Sequence, residues 1–279
     1  MRAELRDKRD ALLAKIGTRP LVMGILNVTP DSFSDGGRFQ TADEAVAHAT
    51  RMVVDGCDIV DIGGESTRPG ATPASEVDEL ARVVPIVERL AQVVDVPLSI
   101  DTYKANVART ALERGAVLVN DVWGLQGDAA MADAVAEAEA VIVIMHNRAQ
   151  TDAAIDIVTD ILRFFNRSLA LAERAGIPRQ RIILDPGVGF AKTSSQNRDA
   201  VACIAQLKDY GLPILVGVSR KRFLGSMTDG AEGSLVGTIA ANLTAAAAGA
   251  AIFRVHDVAE HVAAFKVFHT IRTRVAKQP

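Results

Sequence analysis

Three observations predict an α/β fold closed into a (β/α)8 barrel. Eight short runs rich in β-branched residues recur along the chain, each followed by a longer amphipathic segment. The runs are continuously apolar, as strands of a parallel sheet are when helices cover both faces. No linker or break in composition interrupts the 279 residues, and one barrel of about 250 residues would use most of them. We therefore read residues 21–279 as one (β/α)8 TIM barrel domain and residues 1–20 as an N-terminal extension, with a helix laid across the barrel bottom.

The strands, in order, are "LVMGILN", "DIVDIG", "PLSID", "VLVND", "AVIVIMH", "RIILD", "PILVGV" and "AIFRV". Helical patterns lie between them at 41–55, 75–93, 103–114, 128–138, 155–175, 196–209, 235–248 and 258–274. Thr41, with Glu44 three residues on, reads as a helix N-terminus. Gly176 reads as a C-terminal stop. Pro85 sits inside the second helical pattern, where its missing N–H predicts a kink or break.

Composition narrows the function. With 49% hydrophobic and 23% charged residues the chain reads as globular. A net charge of −3 provides no global field for nucleic acid or anionic lipid. Any anion site must be built locally, from a few converging Arg, Lys and backbone N–H groups. Cys57 and Cys203 lack metal-ligand spacing and read as buried free thiols of a cytoplasmic protein. "MRAELRDKRD" has no apolar signal core behind it, and runs such as "AVIVIM" are too short to span a bilayer. Small-molecule substrates are expected, with no nucleic-acid or membrane partner.

Nearly every strand ends in a polar or glycine-rich signature. These are Asn27, "GGESTRPG", Asp101, Asn120 with Asp121, Met145-His146, "DPGVGF", "SRKRFLG" and "RVHD". Singly, each has an ordinary explanation, since Asp101 or Asp121 suits a helix N-cap and Asn120 a turn. Caps alone do not require such residues at successive strand ends, which in a barrel surround one mouth. Asp101, Asn120 and Asp185 supply acceptors and an amide donor for a planar heterocycle rich in N–H groups, and Lys221 can donate to a ring carbonyl or nitrogen. Arg68, Arg254 and His256 supply cationic donors for phosphate oxygens. Asn27 offers a neutral oxygen to a hard cation such as Mg2+. Together these features predict a site that joins an amide-rich ring to a diphosphate.

The motifs "MGILNVTPDSFSDGG", "DIGGESTRPG", "SIDTYK", "VNDV", "DPGVGF", "GVSRKRF" and "RVHDV" resemble, in order, the signatures of the dihydropteroate synthase family. That resemblance implies condensation of 6-hydroxymethyl-7,8-dihydropterin diphosphate with p-aminobenzoate, giving 7,8-dihydropteroate and pyrophosphate with Mg2+ as cofactor. It also implies that Asp101, Asn120, Asp185 and Lys221 hold the pterin, with Val122 and Met145 as apolar contacts. Asn27, Arg68, Arg254 and His256 would hold the diphosphate, Asn27 also touching the metal. Thr67, Arg68, Pro69, Phe33, Phe190, Lys221 and Arg222 would form the p-aminobenzoate pocket, open to sulfonamides. A homodimer through the last helices is implied too. Two departures stand out: "MHNRAQTDAAIDIV" replaces the family's usual fifth-loop pattern, and Ala191 stands where glycine is common.

An aryl amine is a weak nucleophile, so the resemblance favours a dissociative, SN1-like course in which pyrophosphate leaves a delocalised pterin cation. Water would capture such a cation in an open site. We therefore expect the polar stretch 27–37 to act as a lid, with Phe33 over the amine, Asp35 in a catalytic role beside Lys221, Arg254 and His256, and Gly36-Gly37 as hinge. The competing readings are a pterin-binding methyltransferase, which would not need Asn27 or "RVHDV", and a non-catalytic dihydropterin-binding paralogue.

Overall fold

The alternation of inward and outward residues along β1 (Leu21–Asn27) accounts for two separate cores. Leu21 and Met23 point inward. They meet Ile59, Leu118, Val141, Val143, Ile183, Leu215 and Ile252 from the other strands, and Leu12 from α1 (Ala3–Lys15) closes this cluster from below. Val22 and Leu26 point outward into a larger layer between strands and helices. Both faces of each strand are thus buried, which is why the strands read as unbroken apolar runs.

The computed structural model of the chain describes residues 1–29, 38–66, 72–227 and 234–275. After β1 come β2 (Ile59–Gly63), β3 (Leu98–Asp101), β4 (Leu118–Asp121), β5 (Val141–Met145), β6 (Ile182–Asp185), β7 (Leu215–Val216) and β8 (Ile252–Val255). They form one eight-stranded parallel sheet ordered β6-β5-β4-β3-β2-β1-β8-β7. A bridge between Leu184 and Ile214 brings the two ends together into a nearly closed barrel. β7 is shorter than the predicted "PILVGV". Pro213 accepts from the Leu184 N–H at 2.9 Å but has no N–H to donate, so the ladder is thin where the barrel closes.

Between the strands lie α2 (Arg38–Val54), α3 (Glu76–Val93), α4 (Ala105–Arg114), α5 (Met131–Glu137), α6 (Ile157–Arg174), α7 (Ser194–Ala202), α8 (Ile204–Leu207), α9 (Leu235–Ala248) and α10 (Val258–Val275). Three local expectations are corrected. Thr41 lies within α2 rather than before it, because Arg38, Phe39 and Gln40 extend the helix and none of them is a breaker. α3 runs through Pro85 unbroken. Its buried stripe of Val83, Ile86, Val87 and Leu90 offsets the lost backbone bond. The segment predicted as one helix over 196–209 divides at Cys203, where ψ is −7°. Gly176, at φ +77°, follows α6 as expected.

Among the described residues no helix is long and apolar enough to cross a membrane. Cys57 and Cys203 are free and buried. Burial pushes their thiols up to about 12 and about 11, which leaves them inert.

Candidate active site

Above the apolar floor the inward positions turn polar. Asp61 of β2 pairs in register with Ser99 of β3, and Asn27, Gly63, Asp101 and Asn120 are successive partners across β1 to β4. A cavity of about 1240 Å3 opens over this layer at the C-terminal mouth of the barrel. Asn27, Asp101, Asn120, Val122, Met145, Asp185, Phe190, Lys221, Arg222, Arg254 and His256 all line it. Every sequence-predicted site residue within the described residues therefore borders one space. Phe33, Asp35, Thr67, Arg68 and Pro69, with the rest of the expected lid, lie outside the described residues.

A buried charge network underlies one side of this cavity. Asp61 Oδ2 accepts from Arg254 Nε at 2.6 Å and from Asn120 Nδ2 at 3.1 Å, while its Oδ1 accepts from Ser99 Oγ at 2.5 Å. Arg254 Nη2 donates to Asp101 Oδ2 at 2.5 Å. One guanidinium thus lies between two carboxylates, and two of its five N–H donors are engaged among the described residues. Burial works against the Arg254 cation, but Asp101 and Asp61 outweigh it and hold its pKa above the ordinary value. Burial pushes Asp101 up to about 7, with Arg254 opposing and the neighbouring Asp61 charge adding to the rise.

This network gives Asn120 a defined polarity. Its Nδ2 is spent on Asp61, and its buried Oδ1 has no partner among the described residues. The side chain therefore brings a spare acceptor to the cavity, where an unpaired buried oxygen costs about 1–3 kcal/mol until a ligand N–H meets it.

Across the mouth, Asp185 Oδ1 accepts from Gly187 N at 2.7 Å. Burial pushes Asp185 up to about 6, opposed by the Gly187 N–H and by Lys221 and Lys192. Lys221 Nζ stands 4.3 Å from the Phe190 ring centroid, within range of a cation–π contact. Burial and repulsion from Arg254 bring Lys221 down to about 8, Asp185 and Asp101 opposing. Gly189, at φ +86°, permits this approach, since a Cβ there would lie 2.7 Å from Lys221 Cδ.

His256 differs from its expected role as a cationic donor. Ser219 Oγ accepts from His256 N at 3.1 Å and lies 3.0 Å from Nδ1. The Ser219 hydroxyl can donate to Nδ1, an arrangement that places the ring proton on Nε2, facing away from Ser219. Burial, then Arg254 and Arg220, lower this imidazole to about 4. It is a neutral donor at pH 7.

Asn27 is the residue expected to donate to a metal ion. A Cβ at Gly63 would lie 3.7 Å from Asn27 Oδ1 and 3.6 Å from Asp101 Oδ2, so these oxygens flank that glycine. Among the described residues no group of three or more His, Cys, Asp or Glu could hold a metal ion. The donor set fits an ion that takes one neutral protein oxygen and completes its shell with water and substrate phosphate, as Mg2+ does.

Sequence reasoning, which concentrated on strand ends, missed Asp61, Ser219 and Lys192. Asp61 left a signal, for it is the acidic residue at an inward position between Ile59 and Gly63. Ser219 stood inside a quoted motif. Glu65 was missed too: it lines the cavity and receives Lys104 Nζ at 2.5 Å and Tyr103 OH at 3.1 Å.

A family model described as "Pterin binding enzyme" matches residues 23–256. A dihydropteroate synthase of Clostridium beijerinckii is 45% identical over 261 residues, 93% of this chain and 97% of its own. A solved dihydropteroate synthase of Xanthomonas albilineans with 4-aminobenzoic acid is 43% identical, has a TM-score of 0.88 and covers 94% of each chain. A Yersinia pestis dihydropteroate synthase with a sulfonamide drug is 44% identical, with a TM-score of 0.85 over 92% of this chain and 95% of its own.

Proposed function

We propose a catalytic course for this chain, which belongs to the pterin-binding enzymes and, within them, to the dihydropteroate synthase family. It is a transferase. It condenses 6-hydroxymethyl-7,8-dihydropterin diphosphate with p-aminobenzoate, forming 7,8-dihydropteroate and pyrophosphate. The polarity of the cavity carries this reading. The spare Asn120 Oδ1, with the carboxylates of Asp185 and Asp101, offers acceptors to a ring edge of N–H groups, while Lys221 donates to a ring oxygen or nitrogen. Val122 and Met145 would pack on the ring faces.

Arg254 and His256 lie on the same rim, with one residue between them in sequence. A cation and a neutral Nε2–H would together receive phosphoryl oxygens as the C–O bond breaks and negative charge builds on the leaving group. Mg2+, when bound, would neutralise part of that charge, and Asn27 Oδ1 is the protein oxygen that would hold it. Asp101 and Asp185 would stabilise the positive charge spread over the ring. Phe190, Lys221 and Arg222 would border the amine, which then attacks the exocyclic carbon and loses a proton. Sulfonamides would compete in the same place.

The last two helices supply a candidate homodimer face. Val267 and Ile271 of α10 and Val236 of α9 are exposed apolar residues, and the first two lie one turn apart on the same side of α10. A cytoplasmic setting suits the two free, buried thiols.

Pyrophosphate release tests the reaction directly. It should require both the pterin diphosphate and p-aminobenzoate, and the coupled pteroate product should appear in equal amount. Release that ignores the amine, or no release at all, would defeat the proposal.

A further inference from the structure

Lys192 is buried beneath the loop that leaves β6, with 8% of its surface exposed. Its ammonium folds back into that loop. Nζ donates to Gly187 O at 2.7 Å, to Phe190 O at 3.2 Å and to His146 Nδ1 at 2.8 Å. Three N–H donors meet three acceptors, and none of these is a carboxylate. His146, just past the end of β5, is fully buried, and its Nε2 lies 3.1 Å from Asp160 Oδ2 of α6. Because Nδ1 accepts from an ammonium, the ring proton is on Nε2 and points to Asp160. Arg148 from the divergent fifth loop holds the same carboxylate oxygen at 2.6 Å.

The backbone around this cation is tightly wound. A Cβ at Gly187, φ +66°, would fall 1.8 Å from His146 O, and Ala191 sits at φ +41°. Asn197 Oδ1 takes the Gly189 N–H at 2.6 Å, which ties the middle of the loop to α7. The outer side of the same loop carries Phe190, whose ring meets Lys221. A cation at the loop's centre and an aromatic ring at its rim thus belong to one rigid piece.

We propose that Lys192 is a positioning residue for the amine side of the site: by binding Gly187 O, Phe190 O and His146 together, it fixes the Phe190 ring against Lys221 and so sets affinity for p-aminobenzoate. This inference rests on the amine-pocket reading given above. The charged and titratable groups facing Lys192 are His146, Asp160 and Arg148 on one side, Asp185 and Lys221 toward the cavity, and Cys203 from the α7–α8 joint. Burial, opposed by Asp185, Asp160 and Cys203, brings the lysine down to about 7. The ammonium is therefore present below that pH and lost above it, and the tie loosens as pH rises.

Steady-state kinetics of Lys192→Met against the wild type, from pH 6 to pH 9, provide the test. At the acid end the variant's KM for p-aminobenzoate should be about tenfold higher, as loss of one charge-assisted contact allows. The KM for the pterin diphosphate and kcat should stay within about twofold to threefold of the wild type, the split that separates a local wall from general loosening. The wild-type amine KM should rise above pH 7 toward the variant's value, and the variant's should show no step there. His146→Leu, which removes only the third acceptor, should raise the amine KM about threefold. Should Lys192→Met fail to fold, this variant and the wild-type pH dependence decide the matter. An unchanged amine KM, equal rises in both KM values, or a fall in kcat alone overturns the role. Absence of wild-type turnover would instead defeat the functional reading on which it stands.

Discussion

Replacing Asp61 by Asn and by Ala should have unequal consequences, and the inequality follows from donor geometry. Asp61 is wholly buried and accepts from Arg254, Asn120 and Ser99. In Asp61→Asn the amide can turn its Nδ2 toward Ser99, whose hydroxyl rotates to accept, and keep its oxygen for Arg254 and Asn120. Arg254 loses a charged partner but retains Asp101, so the expected cost is about 1–2 kcal/mol, the gap between a charge-assisted and an ordinary hydrogen bond. Asp61→Ala leaves donors of Arg254, Asn120 and Ser99 without their acceptor. At about 1–3 kcal/mol for each, partly relieved by entering water, the loss is about 4 kcal/mol. For a chain of this size, about 2–4 °C of melting temperature accompanies each kcal/mol, so the variants should melt about 2–8 °C and about 8–16 °C below the wild type. Kinetics supply the second readout. Asp61→Ala frees the Asn120 amide to flip and present N–H where an acceptor is needed, raising the KM for the pterin diphosphate about tenfold or more. Asp61→Asn should keep that KM within about threefold, because Asn120 keeps its anchor. Equal pterin KM values in the two variants, or an Asp61→Ala protein as stable as the wild type, would refute the reasoning.

Four other outcomes are expected. The kcat/KM for the pterin substrate should fall below about pH 7, as Asp101 and then Asp185 gain protons, and above about pH 8, as Lys221 loses one; Lys221→Met should abolish the alkaline limb. For stability the sign is also set: buried Asp101 and Asp185 hold protons that the unfolded chain releases above about pH 4, so their contribution declines as pH rises from there toward about 7, and melting of Asp185→Asn should vary less across that window. His256→Gln, which keeps a neutral donor, should retain far more activity than His256→Ala, expected to lose about 10²–10³ in kcat, and neither should alter the pH profile between 6 and 8. Leu12→Ala should cost about 2–5 kcal/mol of stability in thermal unfolding while leaving both KM values unchanged, because Leu12 fills the barrel floor far from the mouth.

The barrel was legible because its strands bury both faces, so each appears as an apolar run that the helical patterns cannot imitate. The rim was legible because polar residues at strand ends break those runs at one end only. What the sequence hid was mostly what lies between layers. Asp61 sits in mid-strand, where an acidic residue gives no hint that it will face an arginine 193 positions away. The neutrality of His256 depends on burial and on the nearby Arg254 and Arg220 charges, neither of which a strand-end histidine announces. Lys192 follows a glycine-rich turn in the sequence, and only the closure of its own loop shows what it grips. Pro85 misled in the opposite direction, since a well-buried stripe overrode the local breaker.

The floor that Leu12 seals turns the barrel into a cup, with one lip for all traffic. Reactants and products would share that edge, and whichever molecule sits nearer the sealed floor would have the longer path to solvent.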